Sequence, residues 1–370
     1  MMQKKIKNIA VTFSFLIALA FLSGMCIKMY FNPVETSESE RRPLAQFPTE
    51  ITWESIEDRT AIEKFEDYSV DQFPFREFFR SVKAKFHLNV LGLAENNGLA
   101  VKDGYIAKIE QEFNDELVND ALDRLQFVYD KYLKDNGGDK FVAIVPDKNY
   151  FLGNEYGYPS PSYDKLLEKV NEKLPEMYHI NFFDVLELED YYRTDTHWSQ
   201  DKIGGVADTL LEAMGAADRV TGNYKENTLY PFYGVYYGQS ALNPEPDTIT
   251  YLTSDILDAC TVYDYETGKT SGIYDFEKFE GKDGYDFFLS GTKALLRIDN
   301  PNATTDEELI IFRDSFGSSI TPLLAEGYKS IYLVDIRYVM PELLDRFIDF
   351  EGKDVLYLYS ALILNSNSFK

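Results

Sequence analysis

Cysteine and histidine are scarce in this chain of 370 residues: two cysteines, Cys26 and Cys260, and three histidines, His87, His179 and His197. Cys26 lies inside an apolar N-terminal stretch, so a bridge to Cys260 is not expected and no disulfide framework staples the fold. No Cys/His cluster has zinc spacing, and neither a G-x-G-x-x-G fingerprint nor a P-loop occurs. No structural metal and no nucleotide cofactor is therefore expected. Basic residues are also few, with 37 Lys plus Arg against 62 Asp plus Glu and a formal net charge of −25. Phosphate recognition needs clustered Lys and Arg, which argues against nucleic acid or an anionic lipid surface as a partner. Internal repeats and low-complexity tracts are absent.

What is present is apolar and aromatic. With 45% hydrophobic and 15% aromatic residues the chain can bury a sizeable core. Its length suits one large or two ordinary domains. Between Lys7 and Lys28 lie 20 residues without a charge, enough to span a bilayer core. Lys4, Lys5 and Lys7 precede the run and only Lys28 closely follows it, so the positive-inside bias places the N-terminus in the cytoplasm. Residues 1–31 are read as a membrane anchor with the remainder outside the cytoplasm. The alternative is a cleaved signal peptide and secretion, although Ser23-Gly24-Met25 is not a clean A-x-A site.

Residues 32–58, rich in Glu, Ser, Thr and Pro, read as a linker, leaving 59–370 as the main domain. A helical segment is expected over 62–91. The turns Asn96-Asn97-Gly98 and Lys102-Asp103-Gly104 then bracket a hairpin-like unit. Val118, Ala121, Leu122, Leu125, Val128 and Tyr132 recur at helical spacing, predicting a helix over 115–134 that Asn136-Gly137-Gly138 ends. A strand follows at 141–145, a helix at 161–173 and a strand at 180–185. Next comes a helix with Ser199 as N-cap and Ile203, Val206, Ala207, Leu210, Leu211 and Met214 on one face. Residues 222–292, rich in Tyr and Gly, read as a mostly β insertion. Strands at 309–313, 330–335 and 354–359 then alternate with helices at 319–327 and 341–350. This rhythm is that of an α/β fold with a largely parallel sheet and flanking helices.

Two short motifs 120 residues apart carry chemistry. Asp195-Thr196-His197-Trp198-Ser199 places a carboxylate two residues before a histidine, and positions i and i+2 of an extended segment face the same way. Asp195 could then fix the tautomer and orientation of His197. Trp198 would point away, into packing. Ile310-Ile311-Phe312-Arg313-Asp314-Ser315-Phe316-Gly317 reads as a buried strand running into a serine and then a helix start, where α/β hydrolytic folds expose a nucleophile. Together the motifs offer Ser315, His197 and Asp195 as nucleophile, base and orienting acid. The Ser315 N–H is the natural first oxyanion donor. Gly291 or Asn149 is a candidate second donor, and Lys148 either lines the cleft or is a solvated loop lysine.

The D-x-H-W motif with a late Asp-Ser-Phe-Gly resembles the DHHW family, which is similar to the SGNH-type O-acetyltransferases of alginate acetylation. Thr196 stands at the family's first histidine, and Arg313-Asp314-Ser315 stands where Gly-Asp-Ser is usual. Further blocks share the resemblance: Ser39-Glu40-Arg41-Arg42-Pro43-Leu44, Asp71-Gln72-Phe73-Pro74-Phe75-Arg76, Tyr285-Asp286-Phe287-Phe288-Leu289-Ser290-Gly291 and Val334-Asp335-Ile336-Arg337-Tyr338. The resemblance implies an SGNH-hydrolase-like fold with a circularly permuted motif order, Asp and His preceding Ser. It also implies O-acetylation of a cell-surface polysaccharide through an acyl-serine, with a membrane-bound O-acyltransferase as acetyl donor. A carbohydrate acetyl esterase is the alternative, and a non-catalytic binder of wall polymer is a second.

Overall fold

The computed structural model describes residues 2–110 and 112–369, with side chains from residue 7 onward. It divides into two compact units, Met1–Gly92 with Gly238–Asn243 and Leu93–Tyr237 with Pro244–Lys370. The boundary expected at residue 59 thus falls inside the first unit.

The first unit begins with helix α1 (Met2–Phe31). Lys7–Phe31 of this helix is long and apolar enough to cross a membrane, which fits an anchor or a signal. The side chains of Lys4 and Lys5, part of the orientation argument, lie outside the described residues. The segment read as a linker is structured: Thr36–Ser37 pairs antiparallel with Arg42–Pro43, and Thr52 caps a short helix, Trp53–Glu57. The helix expected over 62–91 is two helices, α2 (Thr60–Asp71) and α3 (Arg76–Lys85), the latter running on into a wider π turn, Phe86–Val90. Pro74 makes the break, because it has no N–H to donate and biases Phe73 away from the helical region. Arg42 grips Asp71 with both terminal nitrogens, at 2.8 and 2.7 Å. Arg76 and Arg80 meet Glu40, and Arg80 also donates to the carbonyls of Gly238 and Gln239.

The second unit is built on one sheet. Its strands are β1 (Lys140–Val145), β2 (Tyr178–Asn181), β3 (Thr261–Asp264), β4 (Lys269–Ser271), β5 (Leu295–Asp299), β6 (Glu308–Arg313), β7 (Ser330–Val334) and β8 (Asp354–Ser360), in the order β4-β3-β5-β7-β6-β8-β1-β2. The run β7-β6-β8-β1-β2 is parallel, and β5, β3 and β4 add antiparallel strands at one edge. The alternation of side chains divides the core. Leu309, Ile311, Leu356 and Leu358 face one layer with Trp198, Val206, Leu210 and Ile320. Ile310, Phe312, Val355 and Tyr357 face the other with Val118, Leu122, Leu125 and Val170. The helices of these layers are α4 (Asp115–Val128), α5 (Lys148–Tyr156), α6 (Tyr163–Lys173), α7 (Gly204–Ala213) and α8 (Gly317–Leu324).

Three expectations shift. Beyond Val128 the helix widens into a π segment, Tyr129–Leu133, so Leu133 rather than Tyr132 is fully buried. The helix expected over 341–350 is a 3-10 turn, Pro341–Arg346. The insertion is mixed: Lys225–Phe232 pairs antiparallel with Asp247–Thr253, while β3 and β4 join the main sheet, and short helices lie between them. Both expected turns near residues 97 and 103 are present, with Asn97, Gly98, Asp103 and Gly104 all at positive φ, as two-residue hairpin loops require.

Candidate active site

Ser315 sits at the carboxyl end of β6, in the turn before α8. The turn is held by Asp314, which is fully buried. Its Oδ1 accepts from the Phe316 N–H at 3.0 Å, and its Oδ2 accepts from the Ser360 N–H and Oγ at 2.8 and 2.7 Å. One carboxylate therefore ties the serine turn to the end of the neighbouring strand β8. Arg313 packs its buried stem across Gly317, where a Cβ would fall 2.8 Å from that of Arg313. Gly317 is thus what makes room for the arginine that replaces a glycine before Asp-Ser. Burial lowers the Arg313 pKa from its ordinary value, against the opposing charge of Asp335.

The histidine arrives on a tight reversal. Tyr191 bridges Trp198, the Tyr192 N–H donates to the His197 carbonyl at 3.0 Å, and the Ser199 N–H donates to the Asp190 carbonyl at 2.7 Å. His197 Nδ1 lies 2.6 Å from Asp195 Oδ1, and Nε2 lies 2.7 Å from Ser315 Oγ. Asp195 Oδ1 also accepts the His197 N–H at 3.1 Å, and Oδ2 accepts the Val235 N–H at 2.7 Å. Asp195 is 1% exposed, His197 7%, and Ser315 is half-buried, so the group opens to solvent at its serine end. Burial pushes the Asp195 carboxyl up, but the charge and hydrogen bond of His197 and the Val235 N–H hold it well below the usual carboxylate range. Asp195 is thus held in its ionised form.

The insertion builds much of the support. Tyr285 stacks on the His197 imidazole with ring centroids 3.6 Å apart and planes 2° apart. Its hydroxyl donates to Ser319 Oγ at 2.8 Å, and Trp198 Nε1 donates to the same oxygen at 2.9 Å. Ser319 lies one helical turn beyond Ser315 on α8, so two side chains around the histidine grip the helix next to the serine. Asp247 accepts from the Arg193 N–H, the Thr194 N–H and Thr194 Oγ1 at 3.0, 2.7 and 2.6 Å. Gln200 links Leu252 N–H to the Ser319 carbonyl. That link occupies the segment expected to open a helix at Ser199. The helix starts at Gly204 instead, and Ser199 bonds Asp201.

Lys148 is buried rather than solvated. Its Nζ donates to the carbonyls of Tyr192 and Arg193 at 2.9 and 3.2 Å, on the loop that carries Asp195. Burial lowers its pKa to about 7, with Asp195 the largest opposing charge. Asn149, also buried, donates through Nδ2 to the Glu110 carbonyl at 3.0 Å, and the Gly291 N–H closes a turn onto the Phe288 carbonyl at 3.1 Å. Both donors already have acceptors. Of the other histidines, His179 Nε2 lies 3.0 Å from the Leu174 carbonyl, and His87 sits in the π turn after α3.

Val235, Tyr285, Asp247 and Thr194 were not singled out from the sequence as parts of the site. Tyr285 stood only within the family-like block Tyr285–Gly291, of which Gly291 alone was given a role.

Residues 165–334 match the family model described as DHHW protein, which meets the resemblance read from the motifs. Among solved structures, a DHHW family protein from Eubacterium siraeum DSM 15702 is 23% identical, with 74% of this chain and 94% of that one covered and a TM-score of 0.60. PatB1 of Bacillus cereus is 19% identical over 74% of this chain and 99% of that one, with a TM-score of 0.58. The same protein with a sulfonyl adduct is 19% identical over 74% and 97%, with a TM-score of 0.55. No curated protein matches the chain. These likenesses are of fold, the α/β architecture of a largely parallel sheet with flanking helices.

Proposed function

We propose that this DHHW-like chain is an extracytoplasmic O-acetyltransferase that modifies a cell-surface polysaccharide through an acyl-serine. The observation that carries the reading is the continuous line Asp195–His197–Ser315, with contacts of 2.6 and 2.7 Å. As His197 Nε2 takes the hydroxyl proton, Ser315 Oγ attacks the acetyl carbonyl of the donor. Asp195 stabilises the imidazolium that forms. The C–O bond to the donor's leaving group breaks, the leaving group takes that proton, and acetyl-Ser315 remains. A sugar hydroxyl then attacks the acetyl carbon, passes its proton to Nε2, and Ser315 leaves with it. The Ser315 N–H, ahead of the dipole of α8, is the donor for the oxyanion.

Sulfonylation is the chemistry of an activated nucleophile, so the sulfonyl adduct of Bacillus cereus PatB1 supports this reading at the level of the shared fold. Helix α1 would hold the enzyme in the membrane, where a membrane-bound O-acyltransferase can hand acetyl groups outward. An active site outside the cytoplasm needs such a relay, since acetyl-CoA stays inside.

The test is an intact-mass measurement after incubation with an activated acetyl ester. The wild type should gain one acetyl group on Ser315 and Ser315→Ala none. Adding an oligosaccharide acceptor should then move the label to sugar. Release of free acetate regardless of acceptor would make the protein an esterase, and the absence of any adduct would leave a polymer binder.

A further inference from the structure

Among the described residues, the first unit presents an apolar helix face that the rest of that unit leaves largely exposed. Phe75, Phe78, Phe79, Val82, Phe86 and Val90 follow the spacing of a helical stripe through α3 and its π turn. They are 69, 63, 50, 48, 48 and 68% exposed. A helix of a soluble domain turns such a stripe inward; here only Ala84 of α3 is buried. The opposite face is occupied, since Arg76 and Arg80 enter the ion-pair network with Glu40, Glu77 and Asp71. The helix is therefore anchored by its polar side and leaves its phenylalanines outward.

We propose that this face lies in the headgroup and upper acyl layer of the bilayer that α1 crosses, as an in-plane amphipathic helix. The proposal rests on the reading of α1 as a membrane span. Three observations choose lipid as the occupant. The first is continuity: Phe73, Pro74 and Phe75, at the start of the stripe, line one apolar cavity of about 1020 Å³ with Phe21, Gly24 and Met25 of α1. The stripe thus begins where the lipid-facing surface of α1 is at hand. The second is charge. Residues 1–92 and 238–243 carry 12 Lys plus Arg against 12 Asp plus Glu, so the entire excess of 25 negative charges lies in the second unit. The chain-wide acidity that argued against a lipid surface does not extend to this unit. The third is composition. Lys85 flanks the stripe and can extend its head to a phosphate, Trp53 is 86% exposed, and Tyr30 packs edge-on against Phe47, which packs against Tyr68. Aromatics with basic neighbours are the signature of helices that lie in an interface.

The experiment uses the full chain with Cys26→Ser, leaving buried Cys260 in place. Single nitroxide labels go on F78C, V82C and F86C, on E77C as a polar-face control, and on L16C as a control for the span. The protein is reconstituted in phosphatidylcholine vesicles with a minority of phosphatidylglycerol. Collision rates with oxygen and with a nickel chelate are then compared. Expected is a several-fold preference for oxygen at 78, 82 and 86 and the reverse at 77. Aqueous readings at the stripe with a lipid reading at residue 16 would overturn the proposal alone. An aqueous reading at residue 16 would remove the span, and the proposal with it. Stripe labels that are aqueous in vesicles but shielded in native membranes would assign the face to a membrane protein, and lipid would be excluded.

Discussion

Asp195→Asn keeps the shape of the acid and removes its charge, and the structure says what each orientation of the new amide must lose. Asp195 accepts three hydrogen bonds: His197 Nδ1 and the His197 N–H on Oδ1, and the Val235 N–H on Oδ2. If the amide oxygen faces His197, the tautomer is kept, but the amide NH₂ confronts the Val235 N–H. If the oxygen faces Val235, the NH₂ donates to Nδ1, the imidazole proton moves to Nε2, and His197 donates to Ser315 instead of accepting from it. In that second orientation the His197 N–H also loses its acceptor. Either way at least one buried donor is left unpaired, which costs about 1–3 kcal/mol of stability. In neither orientation is there a charge to stabilise the imidazolium, and for a Ser-His-Asp triad the wrong tautomer alone lowers kcat by roughly 10⁴-fold. The assay is turnover of a chromogenic acetyl ester together with urea denaturation of the same preparations. A drop on the order of 10³-fold or more in kcat, with a folded protein and a lowered urea midpoint, is expected. Turnover within tenfold of the wild type would mean that Asp195 does not orient or stabilise His197, and the proposed mechanism would lose its acid.

Tyr285→Phe keeps the ring against His197 but removes the hydroxyl bond to Ser319, so it should cost about 0.5–1.5 kcal/mol of stability with little change in kcat. Tyr285→Leu removes the stacking as well and should lower kcat by roughly two- to tenfold; equal kcat values for the two variants would deny the ring a positioning role. Burial raises the Asp147 carboxyl from 3.8 to about 6. The folded state therefore holds a proton that the unfolded state has released, and stability falls as pH rises from about 4 to about 6. Asp147→Asn should flatten that stretch of a urea-midpoint profile, and an unchanged slope would reject the assignment. Lys148 shifts the other way, from 10.5 to about 7, so its burial opposes folding below about pH 7 and stability recovers as pH climbs toward 10.5. Lys148→Met should remove that rise and, by freeing the Tyr192 and Arg193 carbonyls, reduce turnover of the acetyl ester. Wild-type turnover would show that the 192–195 loop does not depend on it.

The parallel half of the sheet was legible because its strands are continuous apolar runs and its helices carry their stripes intact. Val118 to Val128 and Val206 to Leu211 are buried as their spacing predicts. The antiparallel edge was not. Thr261–Asp264 and Lys269–Ser271 are short and polar on one side. Thr261–Asp264 joins the sheet by pairing with Leu295–Asp299, whose register is set by β7, and Lys269–Ser271 joins only through Thr261–Asp264. Nothing local announces such a partner. The helix start at Ser199 misled for a related reason. A good N-cap residue is a weak preference, and here the side chain of Gln200 bridges Leu252 and Ser319, so tertiary hydrogen bonds override it.

The site divides along the same line between what a residue type announces and what only a fold supplies. Asp195, His197 and Ser315 could be named because few side chains can act as acid, base and nucleophile, and the chain has three histidines to choose from. The parts that were missed act through groups that carry no signature. Val235 contributes a backbone N–H that any residue but proline could offer, and Tyr285 contributes a ring face in a chain with 27 tyrosines. Gly234 is the exception. A Cβ there would lie 2.3 Å from the Thr194 carbonyl oxygen, so only glycine lets this segment approach the loop carrying Asp195. Its N–H and that of Tyr236 bond Thr194, at 3.1 and 2.9 Å, on either side of the N–H that Val235 gives to Asp195. The insertion therefore dictates a residue at one position near the acid, and that position touches none of the reacting atoms. A side chain at 234 would push the Val235 N–H off Asp195 Oδ2, so this glycine governs the carboxylate as surely as a direct contact does.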